Sequence, residues 1–196
     1  MHLPFSQACE NNKLPILTQL QLLFKEPTSV FEIGSGTGQH AVFFAEQLPH
    51  VRWQSSDFAE NVEFIQRRID LSGLPNLPPC LQFEVGRHPW PEKIENVFSA
   101  NTAHIMAWPL VELMIEGVGR HLQAGGFFVL YGPFNYGGQY TSESNRSFGA
   151  YVKERGGQQG IRDFEAVDHA AKKFGLKLWQ DVAMPANNRL LVFAKV

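Results

Sequence analysis

Apolar positions along the chain alternate between two spacings, one typical of helices and the other typical of strands. Leu17, Leu20 and Phe24 recur at the spacing of one helix face, and residues 29–33 then form an apolar run of strand length. The alternation continues to the carboxyl end of the sequence. It predicts further strands over residues 51–56, 81–85, 96–101, 126–131, 176–182 and 189–195.

The segments between these strands carry apolar residues at helical spacing. Members of the predicted helix faces include Phe44, Ile65, Met114 and Val167. Pro109 stands where one of these helices would begin, because proline at the first helical position loses no hydrogen bond. Gly175 is placed to end the last helix. Strands that alternate with helices form a parallel sheet covered on both faces.

The last two predicted strands are joined by a short turn that contains Pro185, Asn187 and Asn188. A connection this short cannot cross over a sheet, so the last strand should run antiparallel. The pattern therefore predicts an α/β fold: a doubly wound, Rossmann-like, mostly parallel sheet in one domain over residues 1–196. Residues 132–146 are the only long polar stretch, which predicts a loop that covers a binding site.

Composition narrows the class of protein. The chain has 196 residues, 44% of them hydrophobic, and a net charge of −2, which does not favour a nucleic-acid partner. Its two cysteines are too few for a disulfide scaffold or a cysteine-based zinc site, and we expect no metal. With no apolar run of membrane-spanning length and no Lys or Arg in the first eight residues, we expect a cytoplasmic protein without a membrane partner.

The sharpest chemical signal follows the first predicted strand, where the sequence reads Glu32-Ile-Gly34-Ser35-Gly36-Thr-Gly38. Glycines at a strand-to-helix turn let the backbone approach a ligand, and the helix N-terminus adds partial positive charge. The spacing differs from the dinucleotide fingerprint G-x-G-x-x-G. A carboxylate two residues before the first glycine suits a cationic ligand, and S-adenosylmethionine is such a ligand. A tight turn without a ligand is the structural alternative.

Three further strand ends supply candidate ligand contacts, because ligands of doubly wound sheets lie over the carboxyl ends of the strands. Asp57 ends the second strand, 19 residues after Gly38, and can accept hydrogen bonds from ribose hydroxyls or cap the next helix. Phe58 beside it can pack on adenosine or belong to the core. Val85 and Asn101 end the third and fourth strands, at the expected adenine and reacting-methyl positions.

These features resemble class I S-adenosylmethionine-dependent methyltransferases. The sequence is most similar to domain-of-unknown-function family 938 (DUF938), the branch of methyltransferase-like protein 26, over essentially the whole chain. The segments that carry this resemblance are residues 5–13, the glycine turn, and residues 101–105, 131–135, 144–145 and 160–163. One departure is informative: Asn101 is followed by Thr-Ala-His, which lacks the Pro-Pro-aromatic run of amino-group methyltransferases.

The resemblance implies a seven-stranded sheet with the last strand antiparallel and a bound S-adenosylmethionine, which leaves as S-adenosylhomocysteine. By motif position, Glu32 and the three glycines would hold the methionine part of the cofactor. Asp57 would hold the ribose, Val85 the adenine edge, and Asn101 the reacting end. The family pattern supplies no substrate.

Candidate acceptor contacts surround the expected reacting end. His104 can act as a general base or serve as a structural histidine, and Tyr131 can contact substrate or simply pack. Arg162 can bind an acidic substrate or pair with a neighbouring carboxylate, and Asp163 can cap the following helix. The other substrate-binding candidates are Asn11, Asn12, Lys13, Asn135 and Tyr136.

Three functions remain open at the level of sequence. The first is a methyltransferase that acts on a small molecule by in-line displacement at the sulfonium methyl, for which positioning supplies much of the rate. The second is a non-catalytic S-adenosylmethionine-binding module that acts through a protein partner. The third is a nicotinamide-dependent oxidoreductase, which the glycine spacing and Glu32 disfavour.

Overall fold

The computed structural model describes residues 3–196 as strands and helices that alternate along the chain. The elements, in chain order, are α1 (Gln7–Leu23), β1 (Thr28–Ile33), α2 (Gln39–Gln47), β2 (Val51–Asp57), α3 (Ala59–Ser72), β3 (Leu81–Gln82), β4 (Asn96–Ala100), α4 (Trp108–His121), β5 (Phe127–Gly132), β6 (Phe134–Asn135), α5 (Glu143–Gly156), β7 (Arg162–Asp163), α6 (Phe164–Lys173), β8 (Leu176–Met184) and β9 (Asn188–Lys195). No helix within residues 3–196 has both the length and the apolar character needed to cross a membrane.

Seven strands form one sheet in the order β3-β2-β1-β4-β5-β9-β8. The pairs from β3 to β5 are parallel, whereas β9 runs antiparallel to both β5 and β8. The predicted doubly wound sheet with an antiparallel last strand is therefore confirmed. Because β8 keeps the direction of the parallel strands, its turn into β9 lies at the same edge of the sheet as the carboxyl ends of β1, β2, β4 and β5.

Helices cover both faces of the sheet and divide the core into two layers. Adjacent residues of a strand face opposite sides, so Val30 packs in the layer under α1, α2 and α3, and Phe31 packs in the layer under α4 and α6. Three large aromatic side chains fill the centre of the first layer. The ring centroids of Phe44, Trp53 and Phe98 lie 5.1–5.5 Å apart, and all three side chains are fully buried.

The predicted loop over residues 132–146 is wrong over its last four residues, 143–146, which are helical. Ser142 accepts a hydrogen bond from the Asn145 backbone N–H and starts α5, a helix of 14 residues that the apolar pattern did not indicate. The buried residues of α5 are Asn145, Gly149 and Val152, which have helical spacing but only one large apolar side chain. The helical period of this segment is therefore invisible to a hydrophobicity pattern.

The third strand is also shorter than predicted. Only Leu81 and Gln82 pair with β2, and Phe83 then leaves the sheet edge to pack in the α4 layer against Phe31, with ring centroids 5.2 Å apart. The residues after Phe83 form turns. Val85 thus reaches its position at the carboxyl edge from a loop.

We expect Phe98→Ala to lower the free energy of unfolding by about 3–5 kcal/mol, because it removes a fully buried aromatic ring and leaves a cavity in the first core layer. Urea unfolding measures this loss. Leu71→Ala on the solvent side of α3, where Leu71 is 72% exposed, is the control and should change the free energy by less than about 0.5 kcal/mol. Equal losses in the two variants would contradict the assigned core.

Candidate active site

A cavity of about 1140 Å³ opens at the carboxyl edge of the sheet. Its walls come from the segments that follow β1 to β5, from the first two turns of α1, from the start of α5, and from the turn between β8 and β9. Ligand sites of doubly wound sheets lie at this edge. Typical small-molecule sites occupy about 300–1,000 Å³, so this cavity lies just above the upper end of that range.

Each of the three positions in the turn after β1 requires glycine for a different physical reason. All have φ between 57° and 74°, which side chains of L residues disfavour. A Cβ on Gly34 would lie 2.6 Å from Thr102 Cγ2, and a Cβ on Gly38 would lie 3.3 Å from Ile65 Cγ2. A Cβ on Gly36 would meet no atom within 4 Å, because Gly36 faces the cavity. Gly36 is the glycine that keeps space for a ligand.

Glu32 lies beneath the turn and does not line the cavity, contrary to its predicted contact with the ligand. Alternation along β1 places it on the same face as Val30, inside the first core layer. Its Oε2 accepts hydrogen bonds from Ser35 Oγ at 2.8 Å and Trp53 Nε1 at 3.0 Å. Burial raises the pKa of Glu32 to about 7, against the lowering effect of these two hydrogen bonds. Ser35 itself lines the cavity.

Asp57 lines the cavity and also holds the glycine turn. Its Oδ2 accepts a hydrogen bond from the Gly36 backbone N–H at 2.6 Å, and its Oδ1 accepts from the Phe58 N–H and Asn61 Nδ2 at 2.7 and 2.8 Å. The capping alternative fails, because the residue at the N-cap of α3 is Phe58. The carboxylate is fixed at the rim of the turn, where a ligand on Gly36 would meet it.

The remaining predicted cofactor contacts lie on either side of Asp57. Phe58 is 48% exposed at the cavity wall and is not part of the core. Val85 lines the wall from the loop after β3, and Asn101 lines it directly after β4. Asn101 has a φ of 60° and donates its backbone N–H to the Tyr131 carbonyl at 2.8 Å. This left-handed conformation, which asparagine tolerates better than most residues, turns the chain at the centre of the carboxyl edge.

His104 and Tyr131 both line the cavity beyond Asn101. The His104 ring is buried, with its centroid 5.3 Å from the Phe148 ring, and burial together with Arg162 lowers its pKa to about 4. His104 is therefore neutral at pH 7. Burial raises the pKa of Tyr131, opposed by hydrogen bonding with Asn12 and Asn188. The two side chains form the deep wall at the β4–β5 side.

The amino-terminal helix lies across the cavity, and only some of its candidates face inward. Asn11 and Asn12 line the cavity, whereas Lys13 does not. Lys13 pairs with Glu10, and its Nζ lies 4.9 Å from the centroid of the Phe43 ring. The buried Asn12 Oδ1 lies 2.6 Å from Nε2 of His40, so the first turn of α2 fixes the amide.

Besides Lys13, three predicted substrate residues lie outside the cavity lining: Asn135, Tyr136 and Arg162. After Pro133 the chain leaves the carboxyl edge and pairs with β7, which carries Asn135 and Tyr136 away from the site. The Tyr136 hydroxyl donates to Asp181 Oδ2 at 2.8 Å. The Arg162 guanidinium donates to the carbonyls of Ala103, Met106 and Gln158.

The structure also tests the ion pair considered for Arg162 and the helix cap considered for Asp163. Within residues 3–196, Arg162 forms no ion pair with Asp163 or Glu165. Asp163 occupies the N-cap position of α6, but its side chain accepts no capping hydrogen bond. Arg162 instead braces the segment after β4, on which His104 lies.

Sequence reasoning missed one wall of the cavity. It comes from α5 and from the β8–β9 turn, and its members are Ser144, Asn145, Phe148, Pro185, Ala186 and Asn188. Asn145 Nδ2 donates to the Asn187 carbonyl at 3.0 Å, so the two segments form one surface. Ser142, a residue type favoured at helix N-caps, is the sequence signal that marks the start of this helix.

Comparison with known families matches nearly the whole chain. The model of a family described as "Protein of unknown function (DUF938)" matches residues 3–195. This finding confirms the family that the sequence motifs indicated.

Solved structures of methyltransferases share the fold. The S-adenosylmethionine-dependent methyltransferase SibL superposes with a TM-score of 0.81 at 15% identity, over 95% of this chain and 55% of that one. Human N-acetylserotonin methyltransferase in complex with SAM gives 0.82 at 15%, over 96% and 53%. An O-methyltransferase family 2 protein from Planctomyces limnophilus in complex with apigenin gives 0.78 at 14%, over 88% and 52%. The chain thus spans about half the length of these proteins.

We expect Glu32 to make stability depend on pH. Its pKa of about 7 lies above the ordinary value of 4.5, so the native state binds the proton more tightly than the unfolded state. Stability from this group is present below pH 4.5 and is lost as pH rises through about 7. The difference in unfolding free energy between wild type and Glu32→Gln should therefore fall by about 2–3 kcal/mol from pH 5 to pH 8. Urea unfolding across this range measures it.

Glu46→Gln, at an exposed carboxylate of α2, is the matched control. Its difference from wild type should stay level over the same pH range. A level difference for Glu32→Gln as well would mean that the Glu32 carboxyl is not buried under the turn.

Proposed function

The chain belongs to the DUF938 family, and we propose that it is an S-adenosylmethionine-dependent methyltransferase that acts on a small molecule. One observation carries the proposal: the cavity at the carboxyl edge combines a glycine turn open at Gly36 with the carboxylate of Asp57 beside it. The fold shared with methyltransferases supports it, as do the small-molecule names in the titles of several of those structures.

The residues at the turn fit this cofactor. Gly36 leaves open the space that a Cβ would fill, and the turn precedes the N-terminus of α2. The cofactor carries a positive charge on sulfur and another on its ammonium group. The Asp57 carboxylate at the rim and the Glu32 carboxyl beneath the turn favour such a ligand over the pyrophosphate of a dinucleotide.

Each end of the cofactor has candidate partners in the wall. The turn residues Gly34, Ser35 and Gly36 hold the methionine part. Asp57 already accepts three hydrogen bonds, from the Gly36 and Phe58 N–H groups and from Asn61 Nδ2, and its remaining lone pair on Oδ2 accepts from a ribose hydroxyl. Phe58 and Val85 form apolar contacts with the adenine, and Asn101 faces the reacting end.

S-adenosylmethionine supplies a methyl group on a cationic sulfur, which leaves as neutral S-adenosylhomocysteine without help from an acid. The protein's task is to align the acceptor atom with the methyl carbon and to exclude water. His104 is neutral at pH 7 and lines the wall beside the reacting end, but a pKa of about 4 makes it a weak base. Its role there is to position the acceptor by a hydrogen bond, and the proton of the acceptor passes to solvent. Tyr131 orients the acceptor from the end of β5.

The volume of the cavity favours an enzyme over the alternative, a non-catalytic cofactor-binding module that acts through a protein partner. A binding module needs space for the cofactor alone, whereas this cavity continues past Asn101 to His104, Tyr131 and Phe148. Two predictions remain from the sequence: residues 1–196 act as one methyltransferase-like domain, and the protein works in the cytoplasm.

We expect Gly36→Val to abolish binding of S-adenosylhomocysteine, because the side chain would enter the cofactor space. Gly73→Val is the matched control, since Gly73 has a φ of 62° against 57° for Gly36, has open space around it and lies outside the cavity. Isothermal titration with S-adenosylhomocysteine should show binding to the control and none to Gly36→Val. Affinity of wild-type strength in Gly36→Val would overturn the assignment of the turn.

Asp57→Ala should weaken S-adenosylhomocysteine binding by about 1–3 kcal/mol, the usual value of a hydrogen bond to a charged group. Because Asp57 also holds the Gly36 N–H, the substitution perturbs the turn as well. Titration with the 2′,3′-dideoxy analogue separates the two effects. A loss that is equal for both ligands would assign Asp57 to the turn alone and remove its contact with the ribose.

A further inference from the structure

The wall beyond Asn101 forms a distinct part of the cavity, which we call the amide chamber. Its asparagines come from four separate segments, and together they are Asn11, Asn12, Asn101, Asn145 and Asn188. The chamber lies over β4, β5 and the β8–β9 turn, whereas the glycine turn and Asp57 lie over β1 and β2. If the cofactor occupies the β1–β2 side, as proposed above, the chamber is where the acceptor binds.

The chamber carries no formal charge at neutral pH. Among the described residues that line the cavity, the charged side chains are Asp57, Glu84 and Arg87, and all three follow β2 or β3 at the opposite end. The two histidines of the lining, His40 and His104, both have their pKa lowered to about 4 by burial. A buried carboxylate or ammonium group of a ligand would therefore find no countercharge in the chamber.

The hydrogen bonds of the asparagines leave both donors and acceptors for a ligand. The Nδ2 atom of Asn145 donates to Thr141 Oγ1 and the Asn187 carbonyl, and that of Asn188 donates to the Pro185 and Ala186 carbonyls. Their Oδ1 atoms remain to accept.

The donor side of the chamber comes from α1. Asn12 is already used by His40 and Tyr131, whereas the Oδ1 atom of Asn11 accepts from Gln7 Nε2 at 2.9 Å and its Nδ2 group remains to donate. A donor from α1 and acceptors from α5 and the β8–β9 turn thus line the same cavity.

Backbone strain concentrates at the same place. The non-glycine residues with positive φ within residues 3–196 are Asn101, Ala186 and Asn187. Asn101 and Ala186 line the cavity, and Asn187 bonds the wall of α5. A left-handed alanine is strained, and strained backbone of this kind clusters at active sites and ligand-binding segments.

The apolar part of the lining indicates that the ligand also has an apolar portion. Ile105, Met106 and Phe148 stand beside the amides, with Pro133 and Pro185 at the rim. Phe148 and His104 present ring faces at 72° to each other, 5.3 Å apart. These surfaces suit a flat apolar group.

We propose that the amide chamber takes an uncharged small molecule in which an amide or lactam group lies beside a flat apolar body, and that it rejects carboxylates and ammonium groups. The donor and acceptor of such a group match the Nδ2 group of Asn11 and the Oδ1 atoms of Asn145 and Asn188. A carboxylate or ammonium group of a ligand would instead lose its hydration without gaining a countercharge.

The test uses the full chain saturated with S-adenosylhomocysteine and a set of aromatic fragments in matched triplets. One triplet is 4-hydroxybenzamide, 4-hydroxybenzoate and 4-hydroxybenzylamine, which share a ring and a hydroxyl and differ in charge. Saturation-transfer NMR followed by titration measures each Kd. We expect the amides to bind at least tenfold more tightly than both charged partners.

A variant that adds a charge to the chamber tests the same inference by changing the protein instead of the ligand. Asn188→Asp keeps an oxygen acceptor and adds one negative charge to the chamber, so 4-hydroxybenzylamine should gain at least fivefold relative to 4-hydroxybenzamide. Gln123→Glu, the same charge change near the opposite edge of the sheet, is the control and should leave the ratio unchanged.

The outcomes separate this inference from the proposed function. Failure of S-adenosylhomocysteine to bind overturns the proposed function. Binding of S-adenosylhomocysteine with carboxylates or amines equal to the amides overturns the uncharged chamber alone. Binding of S-adenosylhomocysteine with no fragment of any triplet bound also overturns it, because an open chamber of this kind would hold fragments at millimolar concentration.

Discussion

The turn between β1 and α2 depends on two acidic side chains that hold it from either side. Asp57 at the end of β2 takes the Gly36 N–H at 2.6 Å, and Glu32 beneath takes the Ser35 hydroxyl at 2.8 Å. The turn is thereby fixed to β2 and to Trp53, the centre of the aromatic core. The shape of the proposed cofactor site is thus a direct consequence of the packing of the first core layer.

The same constraint reaches the acceptor side. The turn ends at Gly38, the N-cap of α2. Two residues later, in the first turn of this helix, His40 contacts Asn12 of α1. Gln39 adds bonds to the backbone of Ser6 and to Glu10, so α1 is held across the cavity by the helix that the glycine turn begins. These hydrogen bonds therefore join the wall proposed for the cofactor to the wall proposed for the acceptor. Alignment of a methyl group with an acceptor atom requires such a fixed arrangement.

Sequence patterns predicted the sheet because buried parallel strands are continuous apolar runs, and they predicted the turn because its glycines stand at a strand end. Patterns failed where the buried face is polar: α5 packs Asn145 and Gly149 inward, and no apolar period marks it. The burial of Glu32 was overlooked, although its position two residues after Val30 places it on the same face of β1, in the first core layer. Asn135 left the site because the chain after Pro133 pairs with β7, a long-range contact that local sequence does not contain.

Isothermal titration of the wild-type protein with S-adenosylmethionine, alongside NAD, tests the identity of the proposed cofactor directly. The carboxylates around the turn and the open Gly36 predict saturable binding of S-adenosylmethionine with one site per chain and no binding of NAD. Binding of NAD alone, or of neither ligand, would contradict the assignment of this cavity.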